Sequence, residues 1–205
     1  VIGQLYEEAL RDGAAVEIEH ADGARRPLPV RDWLALRPGD GGLLDRCGGP
    51  TLDVGSGPGR LTVALAGRGV PVLGIDVAPY AVALTVAAGG PALCRDVFGR
   101  VPGDGRWDTV LLADGNIGIG GDPVALLRRV LALAAPGGRV LVEVDPPGGG
   151  ARTVPMRLRS LRSVGEWFTW AHVPVDAVAG LAAGCAATVT EMWEEAGRWF
   201  VALRS

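Results

Sequence analysis

Leu52-Asp53-Val54-Gly55-Ser56-Gly57-Pro58-Gly59-Arg60 is the stretch on which the fold turns. An apolar strand containing Leu52 and Val54 runs into three glycines spaced two apart, and a helical run follows over residues 60–66. Glycines at such a strand-to-helix turn let a ligand approach the backbone, and free N–H groups at a helix start favour an anionic group such as a carboxylate. Open α/β sheets bind their ligands at this edge.

Outward from this loop, short apolar runs alternate with helical stretches. The runs cover residues 51–54, 70–75, 92–94, 109–113 and 140–144, and helices are expected to start near Arg60, Pro79 and Pro123. This alternation is the sequence form of βαβ units and a parallel sheet. Asp122 is placed to cap the helix that begins at Pro123, and Pro136-Gly137-Gly138 to close it. Two further strands, 188–193 and 198–203, are joined by only four residues, which makes them an antiparallel hairpin. The expected architecture is α/β, a mostly parallel sheet finished by an antiparallel hairpin.

Residues 1–49 read as an appendage. Residues 4–11 form a helix stopped by Gly13, and residues 16–20 and 25–30 form a hairpin around Ala21-Asp22-Gly23, with Pro27 and Pro29 suiting an edge strand. Short helical pieces follow at 31–36 and 42–47. A second irregular region, 146–174, contains an alternating apolar and Arg strand at 154–161 and an aromatic strand at 166–173. A helix over 175–183 ends at Gly184.

The 205 residues suit one core. With 48% hydrophobic and 21% charged residues the chain is globular in usage, and its net charge of −3 argues against coating nucleic acid. All 20 of its basic residues are Arg. Cys47, Cys94 and Cys185 are an odd number without a CxxC pair, which speaks against a disulfide framework or a zinc site and for a reducing cytoplasm. No signal-peptide pattern opens the chain and no apolar run reaches bilayer length, so no membrane partner is expected. The chain opens at Val1 without a Met, and a few leading residues are expected to be missing.

Two ligand classes compete for the glycine loop. A dinucleotide fingerprint needs a small residue three positions after Gly57, where this chain has Arg60. Asp53, taken to lie at the lip of the site, would repel a pyrophosphate and attract an ammonium. A ligand bearing both an amino group and a carboxylate suits the loop better.

Asp53-x-Gly55-x-Gly57-x-Gly59 resembles motif I of the class I S-adenosylmethionine-dependent methyltransferases. Gly74-Ile75-Asp76, Cys94-Arg95-Asp96-Val97, residues 107–116 and residues 136–142 resemble the family's later motifs in order. The resemblance covers residues 50–145. It implies a Rossmann-like, doubly wound, mostly parallel seven-stranded sheet over residues 50–205, with S-adenosyl-L-methionine as cofactor and S-adenosyl-L-homocysteine as product. It further implies that Asp53, Gly55, Ser56, Gly57 and Gly59 hold the methionyl end, with Ala113 and Asp114 beside its amino group. Asp76, with Val77 next to it, is expected on the ribose, and Asp96 and Val97 on the adenine.

Residues 1–49 and the insertion 146–174 fall outside the resemblance and are expected to form the substrate lid. The reaction expected is methyl transfer to an O, N or C nucleophile of a small molecule, driven mainly by proximity and desolvation. Asp114, Asn116, His20 and His172 are the candidates for a catalytic proton acceptor. Asp145-Pro146-Pro147 departs from the Asn-Pro-Pro-Tyr motif of enzymes that methylate nucleobase or glutamine amino groups. Arg152, Arg157, Arg159 and Arg162 are candidates to clamp a carboxylate or phosphate. Trp167, Phe168 and Trp170 are candidates for an aromatic wall or for lid packing, and Trp193 and Trp199 are expected to be structural. The rival readings are an NAD(P)-dependent oxidoreductase and a non-catalytic, cofactor-binding partner subunit.

Overall fold

The computed structural model describes residues 3–205. In chain order the elements are α1 (Gly3–Asp12), β1 (Glu17–His20), β2 (Arg25–Pro27), a 3-10 turn (Val30–Trp33), α2 (Asp40–Arg46), β3 (Thr51–Val54), α3 (Arg60–Gly67), β4 (Val72–Asp76), α4 (Pro79–Ala87) and β5 (Ala92–Cys94). They continue with β6 (Trp107–Leu112), a 3-10 segment (Asn116–Gly121), α5 (Pro123–Leu133), β7 (Ala134–Val144), β8 (Arg152–Arg159), β9 (Phe168–His172), a 3-10 turn (Val175–Ala177), α6 (Val178–Ala183), β10 (Thr188–Glu195) and β11 (Arg198–Arg204).

The main sheet has seven strands in the order β10-β11-β7-β6-β3-β4-β5. The five strands from β5 to β7 pair in parallel, while β11 and β10 are antiparallel. This is the expected doubly wound sheet with its closing hairpin. The strand order reverses direction beside β3, between β4 on one side and β6 on the other, so the carboxyl ends of β3 and β6 open a crevice there.

Both faces of this sheet are buried, which is why its strands read as unbroken apolar runs. Alternate residues feed opposite cores. Val110, Leu112, Val140 and Val142 pack with Leu126, Leu127 and Val130 of α5, whereas Leu111, Ala113 and Leu141 pack with Leu61 and Leu65 of α3 and with Phe200. Leu43 and Leu44 of α2 join that second core. Residues 40–47 therefore pack with the main sheet, and only the part of the N-terminal region up to Trp33 stands with the cap.

The cap is a second sheet of four strands, β2-β1-β8-β9, all antiparallel. It joins the N-terminal hairpin to the late insertion. β2, with Pro27, is an edge strand as its prolines require. α1 packs between this sheet and α4 through Leu5, Tyr6 and Ala9 against Ile18, Leu158, Ala78 and Ala81.

Some boundaries differ from expectation for local reasons. β4 begins after Pro71, which has no N–H to give the ladder but accepts one from Thr51 at 2.8 Å. α5 ends at Leu133, and Pro136-Gly137-Gly138 lies inside β7, where the pairing with β6 shifts register. β9 begins at Phe168, which leaves Trp167 outside the sheet.

Candidate functional site

The loop after β3 is held from three sides. Gly55 and Ser56 N–H donate to the Ile75 carbonyl at 2.8 and 3.0 Å, and Gly57 N–H donates to the Asp76 carboxylate at 2.9 Å. Across the crevice, Asn116 Nδ2 donates to the Val54 and Gly55 carbonyls at 3.0 and 2.9 Å. From α4, Thr85 Oγ1 donates to the Gly57 carbonyl at 3.2 Å. Gly55, Gly57 and Gly59 have φ of 70°, 55° and 89°, in the left-handed region that favours glycine.

This wiring corrects one expectation. The N–H groups of residues 55, 56, 57 and 59 all have partners within the protein, Gly59 N–H going to the Ser56 carbonyl. The cations nearest the loop are arginines, and they are paired with carboxylates. Arg60, at the start of α3, is buried and donates to Asp40 through Nε and Nη2 at 2.9 and 3.0 Å and to Asp114 through Nη2 at 3.0 Å. Arg37 pairs with Asp114 through Nη2, and its buried Nε has no partner among the described residues. Arg198 completes the cluster on Asp40 and Glu143, each at 2.7 Å. Three guanidinium groups and three carboxylates thus close a neutral network at one wall of the crevice. Burial alone would lower Arg60, but its hydrogen bonds to Asp40 and Asp114 hold it well above the usual range, so it stays cationic.

The crevice between main sheet and cap is a cavity of about 1060 Å³. Its first half is walled by Gly55, Ser56, Gly57, Asp76, Val77, Asp96, Val97 and Asp114. Asp76 accepts from Gly57 N–H and Ala78 N–H, the latter at 2.8 Å, and burial nevertheless pushes its carboxyl up from the usual range. Asp96 accepts from Phe98 N–H at 2.9 Å through one oxygen. Ser56 Oγ is buried and has no partner among the described residues, and Tyr6 covers the loop: a Cβ on Gly57 would lie 3.1 Å from its hydroxyl. An orphaned hydroxyl beside a glycine cradle, with acids on one side and an unpartnered guanidinium nitrogen on the other, fits a nucleoside bearing an amino acid end.

Asp53 and Gly59 turn away from the cavity, and Ala113 can meet it only through its backbone. Asp53 is 2% exposed and accepts from Thr62 Oγ1 at 2.7 Å, because on β3 it points to the face opposite Leu52 and Val54 and away from the lip. Gly59 meets α4, where a Cβ would come within 2.4 Å of Thr85. The Ala113 side chain packs in the core beneath the sheet.

The second half of the cavity is apolar and aromatic. Met156, Leu158, Phe168 and Trp170 face it from the cap, and Trp33 and Trp199 complete it. Trp199 packs against the core as expected and also lines the cavity, whereas Trp193 stacks on Phe200 beneath the sheet, with ring centroids 5.1 Å apart. Trp167 is outside and stacks under Arg157. Arg157 and Arg159 are no cavity clamp, since both pair with the buried Glu19 on the outer face of the cap at 2.8 and 3.2 Å.

Among the catalytic candidates, Asp114, Asn116 and His172 line the cavity, while His20 lines only an adjoining smaller one. Asp114 is tied up by arginines and Asn116 by the loop carbonyls. His172 is different: its Nδ1 meets Asp145 Oδ2 at 3.1 Å, an arrangement that orients the ring. Sequence reading missed Asp145 in this role, as well as Tyr6, Arg37, Asp40, Glu143 and Arg198. Among the described residues no group of three or more His, Cys, Asp or Glu could hold a metal ion, and no helix is long and apolar enough to cross a membrane.

Comparison with known proteins agrees with this fold. Residues 52–142 match the family described as the methyltransferase domain. A methyltransferase from Bacteroides fragilis, solved in complex with S-adenosyl-L-homocysteine, is 21% identical, with a TM-score of 0.80 over 97% of this chain and 91% of that one. The 1,6-didemethyltoxoflavin-N1-methyltransferase of Burkholderia thailandensis is 20% identical, with a TM-score of 0.58 over 80% of this chain and 73% of that one. An amino pentose methyltransferase of Micromonospora echinaspora, involved in calicheamicin biosynthesis, is 19% identical, with a TM-score of 0.55 over 80% and 89%. A search of curated proteins finds no match. The matched methyltransferase domain covers residues 52–142, and the strand order is that of the Rossmann-like, doubly wound fold.

Proposed function

We propose that the protein methylates an O, N or C nucleophile of a small molecule held between the main sheet and the cap, mainly by alignment and exclusion of water, with His172 as proton acceptor. The carrying observation is a single cavity lined both by polar residues around the glycine loop and by apolar and aromatic residues of the cap. When bound, S-adenosylmethionine supplies a methyl group made electrophilic by its sulfonium.

The chain's own residues suit that cofactor as follows. Asp76 keeps lone pairs for the ribose hydroxyls beyond those given to Gly57 and Ala78, and Asp96 keeps one oxygen for the adenine amino group. Val97 N–H is the matching donor for a ring nitrogen. Arg37 and Arg60 suit the methionyl carboxylate, and Asp114 the ammonium. The aromatic half excludes water and orients the acceptor. His172, fixed by Asp145, takes the acceptor's proton at Nε2 when the nucleophile is a neutral hydroxyl or amine.

That the acceptor is a small molecule is supported by the cavity's size and by two of the similar structures, whose names give a toxoflavin precursor and an amino pentose as acceptors. The net charge of −3 speaks against nucleic acid as partner, and the three unpaired cysteines suit a cytoplasmic enzyme. Isothermal titration with S-adenosylhomocysteine, with NAD and NADP in parallel, tests the site. Micromolar binding of the first alone is expected, and binding of a nicotinamide cofactor instead would overturn the reading.

A further inference from the structure

The cap sorts its arginines by face. Arg25, Arg157 and Arg159 lie on the outer face, and all three meet the Glu19 carboxylate, at 3.3, 2.8 and 3.2 Å. Arg26 and Arg152 lie on the opposite face, for Arg26 is the register partner of Ile18 and Arg152 that of His172, and partners on neighbouring strands point the same way. Both line a second cavity, of about 490 Å³, and neither has an ion pair or a side-chain hydrogen bond among the described residues. His20, the register partner of Met156, lines it too.

This second cavity is a vestibule of the first, since Arg26, Asp145, Pro146 and His172 line both. Its single lining carboxylate, Asp145, is engaged by His172. Two unpartnered guanidinium groups therefore face one occupied carboxylate and two imidazoles, a local positive excess in a chain whose net charge is −3. Guanidinium groups without a partner on a concave wall are suited to take an anion in fork geometry. Glu17 and Glu19 of β1 lie at alternate positions on the other face.

We propose that this vestibule binds an anionic group of the acceptor, so that the enzyme methylates an acidic small molecule, a carboxylate or a phosphate ester. Arg26 and Arg152 hold the anion, and the apolar body of the acceptor lies along Met156, Phe168 and Trp170. The anchor lies beside His172, so binding the charge also brings the acceptor up to its proton acceptor. The inference rests on the reading of the aromatic half as the acceptor site.

The test uses the full chain saturated with S-adenosylhomocysteine and three probes: benzoate, phenyl phosphate, and benzamide as the uncharged one. Affinities come from calorimetry. The ring C–H signals of the two histidines, told apart with His20→Gln, report the place of binding by NMR. At least one anionic probe is expected to bind tenfold or more tightly than benzamide and to shift both histidine signals. The combined Arg26→Ala and Arg152→Ala variant is expected to lose that preference while keeping its affinity for S-adenosylhomocysteine within twofold. Comparing benzoate with phenyl phosphate separates a carboxylate from a phosphate acceptor. Equal binding of the three probes, binding of none, or a preference that survives in the double variant overturns the proposal. Failure of S-adenosylhomocysteine to bind at the outset is the distinct failure of the site reading itself, and the proposal falls with it.

Discussion

Arg60 and Asp40 meet in a two-point ion pair, Nε to Oδ2 at 2.9 Å and Nη2 to Oδ1 at 3.0 Å, with both side chains withdrawn from water. The pair fastens the start of α3, and hence the end of the glycine loop, to the start of α2. Removing one partner of a buried pair leaves the other charge uncompensated, which costs about 3–5 kcal/mol. Arg60→Ala is expected to lose stability in that range by urea unfolding. Arg60→Lys should recover only part of it, because an ammonium cannot reproduce the fork. A loss below about 1 kcal/mol in Arg60→Ala would show that the network is not structural.

Asp40 also sets the acid limit. Burial pushes its carboxyl up, but the hydrogen bonds from Arg60, from Arg37 N–H and from Arg198 outweigh this and bring it from 3.8 to about 2. A folded value below the unfolded one contributes stability above the unfolded value, and that stability is lost as pH falls through the folded one. Unfolding free energy should therefore drop between pH 4 and pH 2, and less steeply in Asp40→Asn.

Asp53 has the opposite sign. Burial raises it from 3.8 to about 6, with the Thr62 hydroxyl only partly offsetting the penalty. The folded state then binds the proton more tightly than the unfolded state, so stability declines as pH rises from 4 to 6 and stays lower above it. Asp53→Asn is expected to be at least as stable as the native chain at pH 7.5, by up to about 2 kcal/mol. Its affinity for S-adenosylhomocysteine should change less than threefold, since the side chain does not reach the cavity. Loss of binding with retained stability would return Asp53 to the site.

Gly57 and Gly59 separate binding from folding. Gly57 faces the cavity, and Gly57→Val, strained at a φ of 55°, should abolish binding of S-adenosylhomocysteine while keeping a folded circular-dichroism spectrum at some cost in stability. Gly59→Ala combines a strained φ of 89° with a Cβ 2.4 Å from Thr85, so it should lower stability by about 1–3 kcal/mol. Retained binding in Gly57→Val would mean that the loop is only a turn.

Asp76→Ala is expected to weaken S-adenosylhomocysteine binding by about 1.5–3 kcal/mol, the range for a charge-assisted hydrogen bond. Calorimetry reads this directly, and an unchanged affinity would remove Asp76 from the ribose.

For His172, the informative readout is the pH profile of kcat/KM once an acceptor is in hand. A protonated imidazole accepts no proton, so activity should fall toward acid, and His172→Gln should lose that limb together with most of kcat. A limb that persists in His172→Gln would place the titrating group elsewhere.

What the sequence made legible was local. The apolar run 51–54 and the Pro123 helix start are written in consecutive residues, and β3 and α5 begin where those patterns do. The glycine loop was readable because three left-handed positions in five residues admit little else. The face that Asp53 presents was not, since a strand buried on both sides has no polar alternation to reveal it. The ion-pair wall was hidden for another reason: Arg37 meets Asp114, and His172 meets Asp145, across many residues of sequence, and only the closed sheet brings them together. Arg60 stood in view as a break in a dinucleotide pattern, and nothing local pointed to its role between Asp40 and Asp114.

The cap's strand order carries a consequence for how the chain assembles. β1 at residues 17–20 takes β8 at residues 152–159 as its partner, so a hairpin made among the first residues waits for most of the polypeptide before its second edge is covered. Closing so long a loop is slow, whereas the β3 to β6 core can condense from neighbouring segments. The main sheet is thus poised to form first, with the roof over its crevice arriving last. In hydrogen-exchange experiments the amides of β1 and β8 should open together and at lower cost than those of β3 and β6, and the crevice should be laid bare in step with them.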